Sequence, residues 1–419
     1  MKLWKKSLPA ASLLACATLA CATHDEANAD PPGPPDPGTP LDASVATDAD
    51  KDAPVVAAKT GCSADGFCYV NVPAQQPLVA VSASSADDAW MFTEQSGSLL
   101  RWDGTEVKVA YRYGGDSPAS IAFSAIWAQA KDHVWAVANG DGHLVLVRYA
   151  PPVGGGAAAF RELRTEEPFM APVVVWGTEG GDAVWIGLGG SILRAHEDAS
   201  GLVVEHMDPG AGAENATLYR WNGIWGFGDN DVYAAGSDCA ESCDPRTNHG
   251  VLAHYDGSTW SIVTLDATVE LLSLRGTPPG AERRLWVHGP EVVDRTAEQV
   301  KTVVKTYLLP VTAGGEIGAP VFQHALDEAP ACSSRTGFAS GPASGWFSDG
   351  LLVCRWTGTA FEPASTILGS RPIIETVNGI WAGGEDAWIV GTALARTNLP
   401  PGPFAARRTA TTAKGAHQP

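Results

Sequence analysis

Residues 223–236 read GIWGFGDNDVYAAG, and residues 379–391 read GIWAGGEDAWIVG. Each stretch holds two short apolar runs marked by aromatics, Trp225 and Tyr233 in the first and Trp381 and Trp388 in the second, with a polar turn between them. That is the pattern of a tight antiparallel hairpin. Outward along the chain the pair returns as Ile126-Trp127 with Val134-Trp135, and as Val175-Trp176 with Val184-Trp185. Weaker copies are Ala80-Val81 with Ala89-Trp90, Leu274-Arg275 with Leu285-Trp286, and Gly337-Phe338 with Gly345-Trp346. The second aromatics fall at 90, 135, 185, 233, 286, 346 and 388, a spacing of 42 to 60 residues. A period of that length, with several short strands per unit, predicts an all-β chain folded as a seven-bladed β-propeller. Six blades with a damaged repeat is the alternative.

In the fourth unit, residues 223–226, 231–236, 251–255 and 259–265 read as strands A to D, with a type I′ turn at Asp256-Gly257. An Asp lies two or three residues before the strand B aromatic in five units, at 88, 132, 182, 231 and 386. A single site would not need its carboxylate in nearly every blade, so these residues are expected to cap turns rather than do acid–base or metal chemistry. Apart from Trp4, thirteen of fourteen tryptophans fall on repeat strands, with Trp221 the exception. Regularity of that kind predicts an inter-blade core. The last unit reads as strand A at Ile380, B at Trp388 and C at 394–396 before Pro400 and Pro401 stop it. Residues 67–72 form a spare strand ahead of blade 1, so they are expected to complete blade 7 and hide the sheet edges. The propeller is thus expected over 61–404, with 405–419 a frayed tail.

The formal net charge of −19 argues against nucleic acid as a partner. Residues 1–21 read as an export signal, with Lys2, Lys5 and Lys6 ahead of an apolar run too short to span a bilayer. Two stretches within it resemble a bacterial lipobox, ending at Cys16 and Cys21. Cys21 is preferred for lipidation because a longer apolar run precedes it and the polar Thr23-His24-Asp25-Glu26 follows; a plain secretory signal is the alternative. Residues 22–60 are rich in Pro, Asp and Ala and are expected to form a disordered tether. The expected protein is a monomer of the bacterial cell envelope, in contact with the membrane through its lipid alone.

Six further cysteines in an exported chain favour disulfides, and local pairing gives Cys62 with Cys68, Cys239 with Cys243, and Cys332 with Cys354. Cys239, Cys243 and His249 lack a fourth zinc ligand, so no metal is expected. The long stretches 209–220, 237–249 and 313–334 break the period and are assigned to the face that carries the B-to-C and D-to-A connections. Binding residues tend to sit on such loops. The candidates are Tyr219, Arg220 and Trp221, with Asp244, Arg246, Asn248 and His249; neutral insertion is the alternative reading. Aromatic, guanidinium and amide groups together suit a glycan or a protein loop.

The chain has no His-Glu-x-x-His, Gly-x-Ser-x-Gly or P-loop motif, and no cofactor is expected. With blades of the form Ile-Trp-Gly, a polar turn, then Asp-Val-Tyr-Ala-Ala-Gly, the sequence resembles a group of bacterial propeller lipoproteins, over about residues 66–397. The resemblance implies an exported propeller and no activity. Two functions follow as expectations: a non-catalytic binding or scaffold module for an envelope protein or glycan, or a sialidase- or lyase-like carbohydrate-active enzyme with carboxylates at the channel mouth.

Overall fold

The computed structural model describes residues 61–411 except 94–96, 114–120, 153–154, 172, 210–218, 239–247, 266–267, 296–299, 367–373 and 395–401. Cys16, Cys21, the signal and the tether lie outside the described residues, as do Cys239, Cys243, Asp244 and Arg246.

Seven four-stranded antiparallel sheets make seven blades. Their innermost strands, A, are Leu78–Ser85, Ile121–Ala130, Val173–Trp176, Arg220–Gly228, Ser273–Gly276, Thr336–Gly341 and Ile374–Gly383. In blade 4, strands B, C and D are Asp231–Ser237, Gly250–Tyr255 and Trp260–Leu265, close to the spans read from sequence. The C-to-D hairpin of blade 4 is a four-residue loop between paired Tyr255 and Trp260 and not the expected type I′ turn: Gly257 has φ +94° but Asp256 is not at positive φ, and the Asp256 carboxylate accepts from the Ser258 and Thr259 backbone N–H groups at 2.8 Å.

The Asn-Gly-Ile-Trp motif has a mechanical role at the seams. Asn222 Nδ2 donates to Leu271 O of blade 5 at 2.8 Å, and Asn378 Nδ2 donates to Leu78 O of blade 1 at the same distance. A Cβ at Gly223 would sit 2.4 Å from the Leu274 nitrogen, so the next blade's inner strand packs against bare backbone there.

Three of the recurring carboxylates pair across the seams between blades. Arg101 on strand C of blade 1 (Ser98–Trp102) lies 3.7 Å from Asp132 in the first turn of blade 2, and Arg148 on strand C of blade 2 (His143–Ala150) lies 3.5 Å from Asp182 of blade 3. Arg355 and Glu385 repeat the contact from blade 6 to blade 7 at 2.9 Å, and Arg407 and Asp87 from blade 7 to blade 1 at 2.6 Å. Between blades 4 and 5 the polarity reverses, with Arg283 of blade 5 on Asp231 of blade 4 at 2.7 Å. Asp132, Asp182 and Asp231 of the recurring set are thus found in ion pairs with a neighbouring blade, whereas at the seams of blade 7 the contact falls on the adjacent Glu385 and Asp87. A pair with one partner in solvent, as Asp182 is beside buried Arg148, adds little stability.

Blade 7 closes the ring with Phe67–Tyr69 as its outermost strand, as expected, but its strand C is Gly402–Arg408 rather than 394–396. Ala405 and Ala406 are buried, and Arg408 bonds Asp65 O at 3.0 Å, so the tail expected to begin at 405 starts only after this strand. Gly402 and Pro403 begin the strand instead of stopping it, because Pro403 stands across from Thr392 only near the strand's first end. The Cys62–Cys68 and Cys332–Cys354 disulfides are both formed. The stretch 313–334 is not one connection. Strand D of blade 5, Phe322–Ala325, divides it, which puts 311–321 on the face opposite to the one expected.

Candidate functional site

The innermost strands surround a central channel of about 270 Å³, to which all seven blades contribute lining residues. Strand register defines a ring of equivalent positions within it. Trp127 pairs with Trp135, Trp176 with Trp185, Trp225 with Tyr233, Phe338 with Trp346 and Trp381 with Trp388, while Ser82 stands opposite Trp90 and Arg275 opposite Trp286. These residues lie towards the A-to-B turns, so the ring sits at that end of the channel.

Five aromatics of the ring meet at the axis. Trp127 and Trp225 contact edge to face at 6.0 Å, Phe338 touches Trp225 at 5.5 Å and Trp381 at 6.2 Å, and Trp127 lies 6.4 Å from Trp176. They form an apolar floor. From this floor the described lining runs along strands A to Val79, Ser124 and Val173, towards the D-to-A connections. The strand A tryptophans are thus an axial cluster, whereas those of strand B, such as Trp135 and Trp185, are buried between blades as expected.

Arg275 replaces an aromatic in this ring and is the charged group among the described lining residues. Its Nε donates to Gly337 O of blade 6 at 3.2 Å and one terminal nitrogen donates to Leu274 O at 2.7 Å. Burial lowers its pKa to about 10, which leaves it charged at neutral pH. Gly276 beside it makes room for the Trp225 indole, which would lie 2.3 Å from a Cβ there and donates to Thr277 O at 3.2 Å.

The loop residues singled out by sequence divide differently. Trp221 is fully buried between blades 3 and 4, its backbone N–H on Gly189 O at 2.8 Å, so it is core and not a binding-face residue. It breaks the aromatic period because it opens strand A instead of sitting at the ring position. Tyr219 is half-buried against it, with ring centroids 5.2 Å apart, and Arg220 is exposed. His249 is half-buried and held by Asp238, through Nδ1 at 3.0 Å and its backbone N–H at 2.7 Å; Asn248 is buried. Arg275 was overlooked as a site residue, although its place in the degenerate Leu274-Arg275 copy of the Ile-Trp pair is the signal that marks it.

A second feature, on the face of the B-to-C connections, is a hairpin in blade 5. Its strands B and C, Arg284–Arg295 and Val300–Pro310, run well past strand A, which ends its pairing at His288. From Val292 to Arg295 strand B pairs with residues 300–302 of strand C, and Val293 is 47% exposed. At its root Glu291 accepts from Lys305 Nζ at 2.8 Å and from the Tyr307 hydroxyl.

No protein-family profile matches the chain, and no curated protein is similar to it. Among solved structures it is similar to one described as "YCF48 bound to D1 peptide", with TM-score 0.52 and 12% identity over 84% of this chain and 97% of that one. A streptogramin B lyase is similar with TM-score 0.50 and 14% identity, over 82% and 96%. A chain of a mitotic checkpoint complex follows with TM-score 0.51 and 11% identity, over 87% and 98%. Likeness at such identities shows the propeller fold alone.

Proposed function

We propose that this propeller is exported, anchored by a lipid on Cys21, and serves as a non-catalytic binding or scaffold module for an envelope protein or glycan. The observation that carries the reading is the blade 5 hairpin, which projects paired strands beyond the ring on the face that also bears Tyr219, Arg220 and His249. A rigid ring with one irregular face is the usual arrangement for recognition. One similar structure is described with a peptide and another is a lyase, so the fold allows either class of function. The channel favours binding, because its described lining offers aliphatic, aromatic, hydroxyl and amide groups with one guanidinium, whereas glycoside chemistry would place a carboxylate pair there.

The test joins a glycan array and an envelope pull-down, using the chain from residue 22 and a version with 292–303 replaced by a two-residue turn. Capture of a discrete protein or glycan that is lost with the shortened hairpin supports the reading. Glycan cleavage, or capture indifferent to the hairpin, overturns it. For the anchor, Cys21→Ala is expected to move the protein from the membrane to the soluble fraction; no movement rejects lipidation at Cys21.

A further inference from the structure

Among the described residues, Arg275 is a half-buried guanidinium without an acid. Elsewhere in the fold the buried or half-buried arginines meet carboxylates, as Arg101 does Asp88 at 2.6 Å, Arg148 does Glu197 at 2.5 Å and Arg408 does Glu385 at 3.2 Å. Arg275 bonds two backbone carbonyls, using two of the five N–H donors a guanidinium carries, and no described carboxylate pairs with it. Arg275 is half-buried, so its remaining N–H groups face water in the channel and are available to an anionic ligand that displaces that water. The half-buried Trp127 and Phe338 lie in the same ring.

We infer that the channel is a binding site for a small monocarboxylate with an aromatic or branched apolar body, whose carboxylate takes the free N–H groups of Arg275 while the body rests on Trp127 and Phe338. A single cation selects a single negative charge, and the formal net charge of −19 disfavours polyanions. A volume of about 270 Å³ limits the ligand to roughly the size of one substituted ring. Ile126, Val174, Ile224 and Ile380 line the wall and give the body apolar contact. The residues of this site lie inside the channel and include none of the hairpin's, so the two readings stand or fall independently.

The test compares phenylacetate with its uncharged near-isostere phenylacetamide on the whole chain from residue 22, by titration calorimetry and saturation-transfer NMR. Phenylacetate is expected to bind at least about tenfold more tightly, since a charge-assisted bidentate contact outweighs a neutral one. Arg275→Gln is expected to erase that preference while thermal unfolding shows the ring intact. Should Arg275→Gln fail to fold, Arg275→Lys keeps the charge and is expected to retain the preference at lower affinity. A merely structural Arg275, bridging blades 5 and 6 through Gly337 O, would change stability and not selectivity. Equal binding of the two probes, binding of neither, or a preference that survives Arg275→Gln overturns the inference.

Discussion

Trp127 of blade 2 and Phe338 of blade 6 stack across the propeller axis, with ring centroids 6.2 Å apart and planes 25° apart. Blades that share no seam are therefore in direct contact, and the ring is held across its width as well as around its circumference. Trp127→Ala is expected to open the channel floor and cost about 2–3 kcal/mol, below the 3–5 of a fully buried aromatic because Trp127 is half-buried. Thermal unfolding measures this. An unchanged Tm would mean that the seams alone hold the ring.

The seam between blades 2 and 3 contains a buried ion cluster. Arg148 and Glu197 side chains are 4% and 6% exposed and 2.5 Å apart, with Arg161 at 2.6 Å from the same carboxylate. Glu197→Gln leaves two guanidinium groups facing one another and is expected to destabilise by about 3 kcal/mol. Asp182→Asn, at a side chain 82% exposed, is expected to change stability by less than about 0.5 kcal/mol. Denaturant midpoints of the two variants should differ accordingly; similar midpoints would show that the cluster is solvated.

Blade number and ring closure could be read from the sequence because both rest on local pattern. Trp225 opposite Tyr233 is a strand pair whose register the turn between them dictates. The partnership of Arg101 with Asp132 could not be read, since the two residues lie on different blades and meet only once the sheets stack. Trp221 misled for a related reason. Periodicity shows that a residue departs from the repeat and says nothing of which way its side chain points, and this one turns into the core. The site residue Arg275 was visible as a damaged copy of Ile-Trp, but its meaning depends on the other ring aromatics converging at the axis. In blade 7 Pro400 and Pro401 read as a stop, whereas strand C begins at Gly402.

Acid should weaken the molecule through His288. This residue is 2% exposed, its Nδ1 3.2 Å from the Thr306 hydroxyl, and burial lowers its pKa to about 4. The folded state therefore prefers the neutral imidazole, so the unfolded chain binds more protons once the pH falls below its ordinary value near 6.5. Stability from this group is full above pH 6.5 and declines as the pH drops towards 4, by a total on the order of 3 kcal/mol. Other groups also titrate in that window, so the comparison is with His288→Gln. The variant is expected to show a flatter dependence of Tm on pH between about 6.5 and 4; parallel curves would reject the assignment.

The Cys332–Cys354 disulfide closes a sequence separation of 22 residues beside the aromatic cluster of Trp286, Phe347 and Trp356. A loop of that length is worth about 3 kcal/mol in the unfolded chain's entropy. Replacing both cysteines with alanine is expected to lower Tm while leaving the aromatic near-ultraviolet signal native, because the cluster packs Trp286 against Trp356 at 4.7 Å without help from sulfur. Loss of that signal at low temperature would show that the disulfide organises the cluster.

The last expectation concerns where the domain ends. Phe67, Cys68 and Tyr69 pair with Arg408, Arg407 and Ala406, so the N-terminal strand depends on residues beyond 404 for its whole register. Arg408 adds bonds to Asp65 O at 3.0 Å and to the Glu385 carboxylate at 3.2 Å, with its guanidinium over Trp346 at 5.1 Å. A chain ended after 404 loses half of strand C in blade 7, leaves Phe67–Tyr69 without a partner, and opens the ring to two unpaired edges. It is expected to unfold at markedly lower temperature and to aggregate, whereas a chain ended after 411 should match the full-length Tm. Equal stability of the two truncations would mean that blades 1 to 6 and the axial aromatics hold the ring without its closing strands.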